Sequence, residues 1–188
     1  MSNKEDFLLT EDVIYDGMAE YSKELLLNRA IPFVQDGLKP VQRRIVYAMH
    51  DMDIHFNKKT VKNTRIVGEV MGKYHPHGDS SIYDALIILS RDWIQRLPLL
   101  EIQGNNGNIE GSEAAAPRYT EARLSKASDL LVADINKNAV EFISNYDGST
   151  KEPTLLPTTI PLALINGAYG IAIGYTACSI LPHNPIEI

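Results

Sequence analysis

The segment Gly72-Lys73-Tyr74-His75-Pro76-His77-Gly78 constrains the chain more than any other, because its two glycines and its proline cannot sit inside a helix. Helical periodicity runs up to this segment and resumes after it. Upstream, the spacing predicts a helix over Asn63 to Met71, with Ile66, Val67 and Val70 inward. Downstream, Asp79 or Ser80 is placed to cap a helix running through Ile82, Tyr83, Leu86 and Leu89 to about Trp93. A helix, a short turn and a second helix is the layout of a helix-turn-helix DNA reader, although any helical hairpin gives the same pattern.

Two further helices precede this pair. Thr10 reads as an N-cap, with Glu11 and Asp12 in the first turn where the helix dipole favours acids. Ile14, Met18, Tyr21 and Leu25 then recur at helical spacing, and Pro32 closes the segment. Asp36-Gly37 makes a turn, and Pro40 suits the first position of a helix with Val41, Ile45, Ala48 and Met52 on its apolar face. Gln42, Arg43 and Arg44 occupy the remaining arc, so at least one arginine should meet solvent or a ligand. After Pro98 short apolar runs alternate with turn residues. Leu99 to Ile102 reads as a strand, Gly104 to Asn108 as a loop, and roughly Thr120 to Leu131 as a helix. Leu162 to Asn166 and Gly170 to Gly174 read as strands of a second substructure. No repeat or low-complexity tract is present. The closing Pro185-Ile186-Glu187-Ile188 has no cap or tail, which suggests a longer protein.

Charge is distributed unevenly. The chain carries 18 Lys+Arg against 24 Asp+Glu, a formal −6, which by itself argues against nucleic acid. Between Lys39 and His77, however, eight basic side chains face three acidic ones, with four histidines besides. A basic stretch on an acidic background is a footprint for phosphate, or else a solvated face with no partner. The apolar stretch Leu155 to Tyr175 is broken by Pro157, Pro161, Asn166 and three glycines, which excludes a membrane span. An N-terminus of Met-Ser-Asn-Lys-Glu-Asp is no signal peptide, and a lone Cys178 excludes an internal disulfide, so the expected location is a reducing cytoplasm.

Three stretches carry chemistry: Gly37-Leu38-Lys39-Pro40-Val41-Gln42-Arg43-Arg44, then Lys73 to Ser80, then Ala116-Pro117-Arg118-Tyr119-Thr120-Glu121. A phenol can attack a phosphodiester and leave again, and an adjacent guanidinium can hold the oxygens of the charged transition state. Taken alone, any one of the nine tyrosines is more naturally a packing residue. Histidines at positions 75 and 77 could ligate a metal, but no third ligand sits at usable spacing, so no metal site is assigned.

In this order and register, with Pro182-His183-Asn184 at the end, the motifs resemble the breakage–reunion subunit of bacterial type IIA DNA topoisomerases from about Ile14 onward. The resemblance implies an α/β (α+β) chain. Residues 1–27 would form an N-terminal helical arm, 28–153 a winged-helix, helix-turn-helix DNA-cleavage domain, and 154–188 the start of a tower domain. It implies that Tyr119 is the nucleophile that forms a 5′-phosphotyrosyl bond and that Arg118 stabilises the transition state. Lys39, His75 and His77 would touch DNA near the scissile phosphate, and Arg29, Arg43 and Arg44 match phosphate-binding arginines. Ile171 would wedge between base pairs. Ser80 and Asp84, one turn apart, would anchor the water-bridged magnesium ion of a quinolone drug.

The implied assembly is a homodimer of A-type subunits joined by B-type subunits in an A2B2 heterotetramer on double-stranded DNA. Mg²⁺ and ATP would sit on the B-type partner, and the complex would act at the nucleoid. Gln42 and Asn106 look like the A-type subunit of topoisomerase IV rather than that of gyrase, while Pro117 departs from the methionine common at that position in bacterial sequences. Two rivals stay open: a non-enzymatic helix-turn-helix regulator, which leaves Arg118-Tyr119 without a task, and a tyrosine recombinase, whose Arg…His-x-x-Arg…Tyr constellation is not found.

Overall fold

A computed structural model describes residues 9–172 and 175–188. Helix α1 (Thr10–Leu25) continues into a π-helical turn over Leu26–Ala30. Ile31 is extended (φ −102°, ψ 130°), as the residue before a proline tends to be, and the segment closes at Pro32 as the sequence indicates. Leu9, not Thr10, occupies the N-cap and supplies no side-chain cap; Thr10 is the first helical residue. Ile14, Met18 and Tyr21 remain more than half exposed.

Three helices build the core. They are α2 (Pro40–Asp51), α3 (Asn63–Lys73) and α4 (Asp79–Ser90). Their apolar faces meet: Ile45, Val46, Ala48 and Met49 from α2, Ile66, Val67 and Val70 from α3, and Ile82, Leu86 and Leu89 from α4 are all buried. Strand β1 (Val61–Lys62) leads into α3. Strands β2 (Leu100–Gln103) and β3 (Glu121–Leu124) complete a three-stranded antiparallel sheet of order β1-β3-β2. The sheet closes one side of the core through Leu100, Ala122 and Leu124. A 3-10 turn (Lys126–Ser128) and α5 (Asp129–Val132) follow, then the hairpin β4 (Phe142–Ser144) and β5 (Lys151–Pro153). Helix α6 (Leu162–Ile165) and the pair β6 (Ala168–Ala172) and β7 (Tyr175–Ile180) end the chain.

Several expectations need correcting. Helix α3 runs through Gly72 to Lys73, past the expected end at Met71, and the break comes at Tyr74. Helix α4 stops at Ser90 rather than near Trp93, because Arg91 turns extended and the Leu99 N–H bonds back to the Leu89 carbonyl at 2.9 Å. Asp79 and Ser80 do not cap α4; Gly78 holds that position and Asp79 begins the helix. The helix expected over Thr120 to Leu131 is instead β3, a 3-10 turn and a single helical turn. Alternate burial of Ala122 and Leu124 on the core face, with Arg123 bridged to Glu101 across the sheet, overrides helix propensity there. The strand expected over Leu162 to Asn166 is α6, and the Asn166 side chain clamps both the N–H and the carbonyl of Leu97 (2.7 and 3.0 Å). The Gly170 to Gly174 strand begins earlier, at Ala168, and residues 173–174 lie outside the described residues.

Two glycines are dictated by close approach. Gly37 has φ +69°, and a Cβ there would lie 2.5 Å from the Ala163 nitrogen, so the Asp36-Gly37 turn packs directly on α6. A Cβ on Gly170 would lie 2.7 Å from the Ala30 carbonyl oxygen, so β6 sits flush against the π-helical turn that carries Arg29.

Candidate active site

Tyr119 and Arg118 lie in the turn that enters β3. The Tyr119 N–H donates to the Ala116 carbonyl at 2.9 Å, and the Arg118 guanidinium stands over the Tyr119 ring, 4.7 Å from its centroid. Tyr119 is 64% exposed, while the next residue, Thr120, is fully buried. That contrast has a cause. The Thr120 hydroxyl accepts from Asn63 Nδ2 (2.8 Å) and shares a hydrogen bond with the Tyr83 hydroxyl (2.8 Å), which also bonds the Ala115 carbonyl (2.5 Å). The Thr120 carbonyl accepts the Asn63 N–H at 3.0 Å. Helices α3 and α4 thus pin both ends of the turn, leaving the phenol and guanidinium projecting from an anchored backbone.

A second group gathers around α2. Arg29, Arg44, His75 and His77 line one cavity of about 700 Å³ between α1, α2 and the loop after α3. Arg44 Nε and Nη2 bind the two Glu152 carboxylate oxygens at 2.7 and 2.6 Å, and Arg44 Nη1 meets His75 Nδ1 at 2.9 Å. His77 packs edge-to-face on His75, with ring centroids 4.5 Å apart. Burial, then the positive charges of Arg44, His77 and Arg29, pushes His75 down to about 4, so its ring is neutral at physiological pH. Arg29 is exposed and makes no ion pair among the described residues.

Arg43 borders the same cavity, but its guanidinium is buried against Asp36, which is fully buried. Arg43 Nε and Nη2 bind Asp36 at 2.5 and 3.0 Å, and Asp36 also accepts the backbone N–H groups of Leu38 and Leu156, each at 3.1 Å. Of the adjacent arginines, then, Arg43 braces the interior and Arg44 faces the cavity.

Lys39 precedes α2 and lines a separate cavity of about 690 Å³ that also takes in Asp84. Its backbone N–H donates to Gln42 Oε1 at 3.0 Å, and burial lowers the pKa of its ammonium. Ser80 and Asp84 are both exposed on α4. Ile171 is 65% exposed, on a strand held against the turn of Arg29. Arg118, Tyr119, Ser80 and Ile171 border neither cavity.

The basic stretch is less naked than its sequence implies. Of its eight cations, five are paired: Arg43 and Arg44 as above, Lys58 with Asp53, Lys62 with Glu121, and Lys73 with Glu69. Sequence reading missed Glu152, Asp36, Asn63, Tyr83 and Thr120 as supports of the site. Glu152 lies 108 positions from Arg44 and nothing local marks it. Asp36 reads as a turn former, although its seven-residue spacing to Arg43 is compatible with a contact across the turn.

The site is thus an exposed tyrosine beside an arginine, set on a three-helix and sheet core, with arginines and histidines lining the cavity beside α2. The chain belongs to the A-subunit family of DNA gyrase and topoisomerase IV, whose model matches residues 29–188. It is thus a member of the A-subunit family of type II topoisomerases. It is 50% identical over 95% of its length to the A-type subunit of DNA gyrase from Dehalogenimonas lykanthroporepellens. It is 52% identical over 96% of its length to the A-type subunit of DNA topoisomerase 4 from Staphylococcus epidermidis, and 50% identical over its whole length to that of Bacillus subtilis. The chain spans only 22–23% of these relatives. Relatives of both names match equally well. No helix among the described residues is long and apolar enough to cross a membrane.

Proposed function

We propose that the chain carries the DNA-cleaving centre of an A-type subunit, with Tyr119 as nucleophile. The observation that carries this reading is the exposed phenol beside Arg118 on a turn anchored at both ends through Thr120, Tyr83 and Asn63. The phenol loses its proton and its oxygen bonds the scissile phosphorus. The bond from phosphorus to the 3′-oxygen breaks, that oxygen takes up a proton, and the 5′-phosphate remains on Tyr119. Reversal reseals the strand, and two Tyr119 residues from a dimer of A-type subunits cut the two strands. Arg118 is placed to take the charge that gathers on the phosphate oxygens. Arg29, Lys39, Arg44, His75 and His77 hold the flanking backbone, and Ile171 enters the duplex. Arg43 is left out of this contact set because the buried Asp36 carboxylate holds its Nε and Nη2 in the interior.

In this reading α3, α4 and the β2–β3 pair act as a winged helix-turn-helix within 28–153, behind an arm at 1–27 of which residues 1–8 lie outside the described residues, and 154–188 opens a tower. Among the described residues no three His, Cys, Asp or Glu side chains gather as a metal site. Mg²⁺ and ATP are assigned to a B-type partner in an A2B2 assembly at the nucleoid, and Ser80 with Asp84 to quinolone contact. Gln42 and Asn106 favour decatenation and relaxation, the topoisomerase IV task, over gyrase supercoiling.

The test uses the whole protein with its B-type partner, Mg²⁺ and plasmid, stopped with denaturant. Linear DNA bearing protein on both 5′ ends is expected, and Tyr119→Phe should keep fold and DNA affinity while abolishing it. Covalent complex persisting in Tyr119→Phe removes that residue from the mechanism. A 3′ linkage would indicate a recombinase, and no covalent species in the wild type a regulator.

A further inference from the structure

Glu152 is a charged residue, only 5% exposed, on the short strand β5, far in sequence from every motif above. Its two carboxylate oxygens take two edges of the Arg44 guanidinium, a fork-on-fork geometry that fixes the plane of that group as well as its position. One further edge, Nη1, is then directed at His75 Nδ1. A guanidinium has donors and no acceptor, so Nδ1 must be the bare nitrogen of the ring and the proton must reside on Nε2.

We propose that Glu152 is a positioning residue for DNA cleavage: through Arg44 it holds His75 in the Nε2–H tautomer, as a neutral donor available to a phosphate in the cavity. The inference rests on the proposed function, because it needs the cavity to hold DNA backbone. It concerns an acid that no sequence motif selects.

The electrostatics support the same chain of contacts. Burial disfavours a second proton on the His75 ring, and the charges of Arg44, His77 and Arg29 add to that effect. On the α1 side the titratable groups lining the cavity are Tyr21 and Glu24, and Arg43 is neutralised by Asp36. Without the Glu152 charge, Arg44 is free to swing off the ring. His75 then loses the part of the lowering that the guanidinium adds to burial, so its basicity rises towards the ordinary value, and once protonated it repels the guanidinium that should stand beside it.

The experiment measures, in the intact protein with its B-type partner, the rate of covalent complex formation and DNA affinity between about pH 5.5 and 8. Wild type should show no histidine-like acid limb in this range. Glu152→Gln should lose up to about fourfold in rate near pH 6 and up to about tenfold near pH 5.5, and recover nearly all of it by pH 8, with affinity changed less than about threefold. In a His75→Ala background the same substitution should add no acid limb. Wild-type rates at every pH, or an equal loss at every pH, would overturn the proposal. If Glu152→Gln does not fold, Arg44→Lys serves instead: an ammonium can pair with Glu152 but lacks the second edge for His75, so a profile without an acid limb would overturn the proposal. Tyr119→Phe in the same assay separates the failures. Covalent complex in that variant defeats the functional reading, whereas its loss together with a wild-type Glu152→Gln profile defeats only the role of Glu152.

Discussion

Replacing Asp36 by alanine should destabilise the protein more than any surface change, and the size follows from the contacts. Asp36 is fully buried and Arg43 is 6% exposed. Four hydrogen bonds end on the carboxylate: two from the Arg43 guanidinium and one each from the Leu38 and Leu156 N–H groups. Asp36→Ala leaves a buried guanidinium without its counter-charge, which costs about 3–5 kcal/mol. In a chain of this length each kcal/mol moves the melting midpoint by about 2–4 °C, so a central cost of about 4 kcal/mol gives a fall of roughly 8–16 °C.

Circular dichroism melting of wild type and variant reads this directly. Asp36→Leu combined with Arg43→Met removes both charges and should recover roughly half of the loss, because the two backbone N–H groups still lack acceptors, at about 1–3 kcal/mol each. A fall of less than about 3 °C for Asp36→Ala would refute the account of Arg43 as an internal brace. The double variant also tests the functional side. Its DNA binding should keep the wild-type salt slope, whereas Lys39→Ala should make the log–log slope shallower by about 0.9 for the lost phosphate contact.

Tyr83→Phe removes the hydroxyl that ties Ala115 to Thr120. It should cost about 1–3 kcal/mol in thermal or denaturant unfolding and slow covalent complex formation, and unchanged kinetics would mean that the turn needs no such anchor. Acid should weaken the fold through His75. Its folded pKa, about 4, lies below the ordinary value near 6.5, so the stability it contributes is present above about 6.5 and is lost progressively as pH falls towards 4. His75→Gln should flatten that part of the melting-temperature profile, and parallel wild-type and variant profiles would contradict the assignment.

What the sequence determined by itself follows from short-range rules. The break after Lys73 up to Gly78, the helix start at Pro40 and the apolar faces of α2, α3 and α4 are fixed by proline geometry, glycine and a 3.6-residue period, which act within one or two turns. The pairing of Tyr119 with Arg118 was equally legible, because the phenol and the guanidinium are neighbours in the chain. Tertiary structure decided the rest. The stretch after Thr120 has enough helix formers to read as a helix, yet pairing with β1 and β2 and burial of Ala122 and Leu124 make it a strand. The fates of Arg43 and Arg44 were also undecidable locally. Adjacent residues on a helix point about 100° apart, and which of the two turns inward depends on where a buried acid waits. Asp36 comes from the preceding turn and Glu152 from a strand more than a hundred residues away, so only the folded chain assigns one arginine to the interior and the other to the cavity.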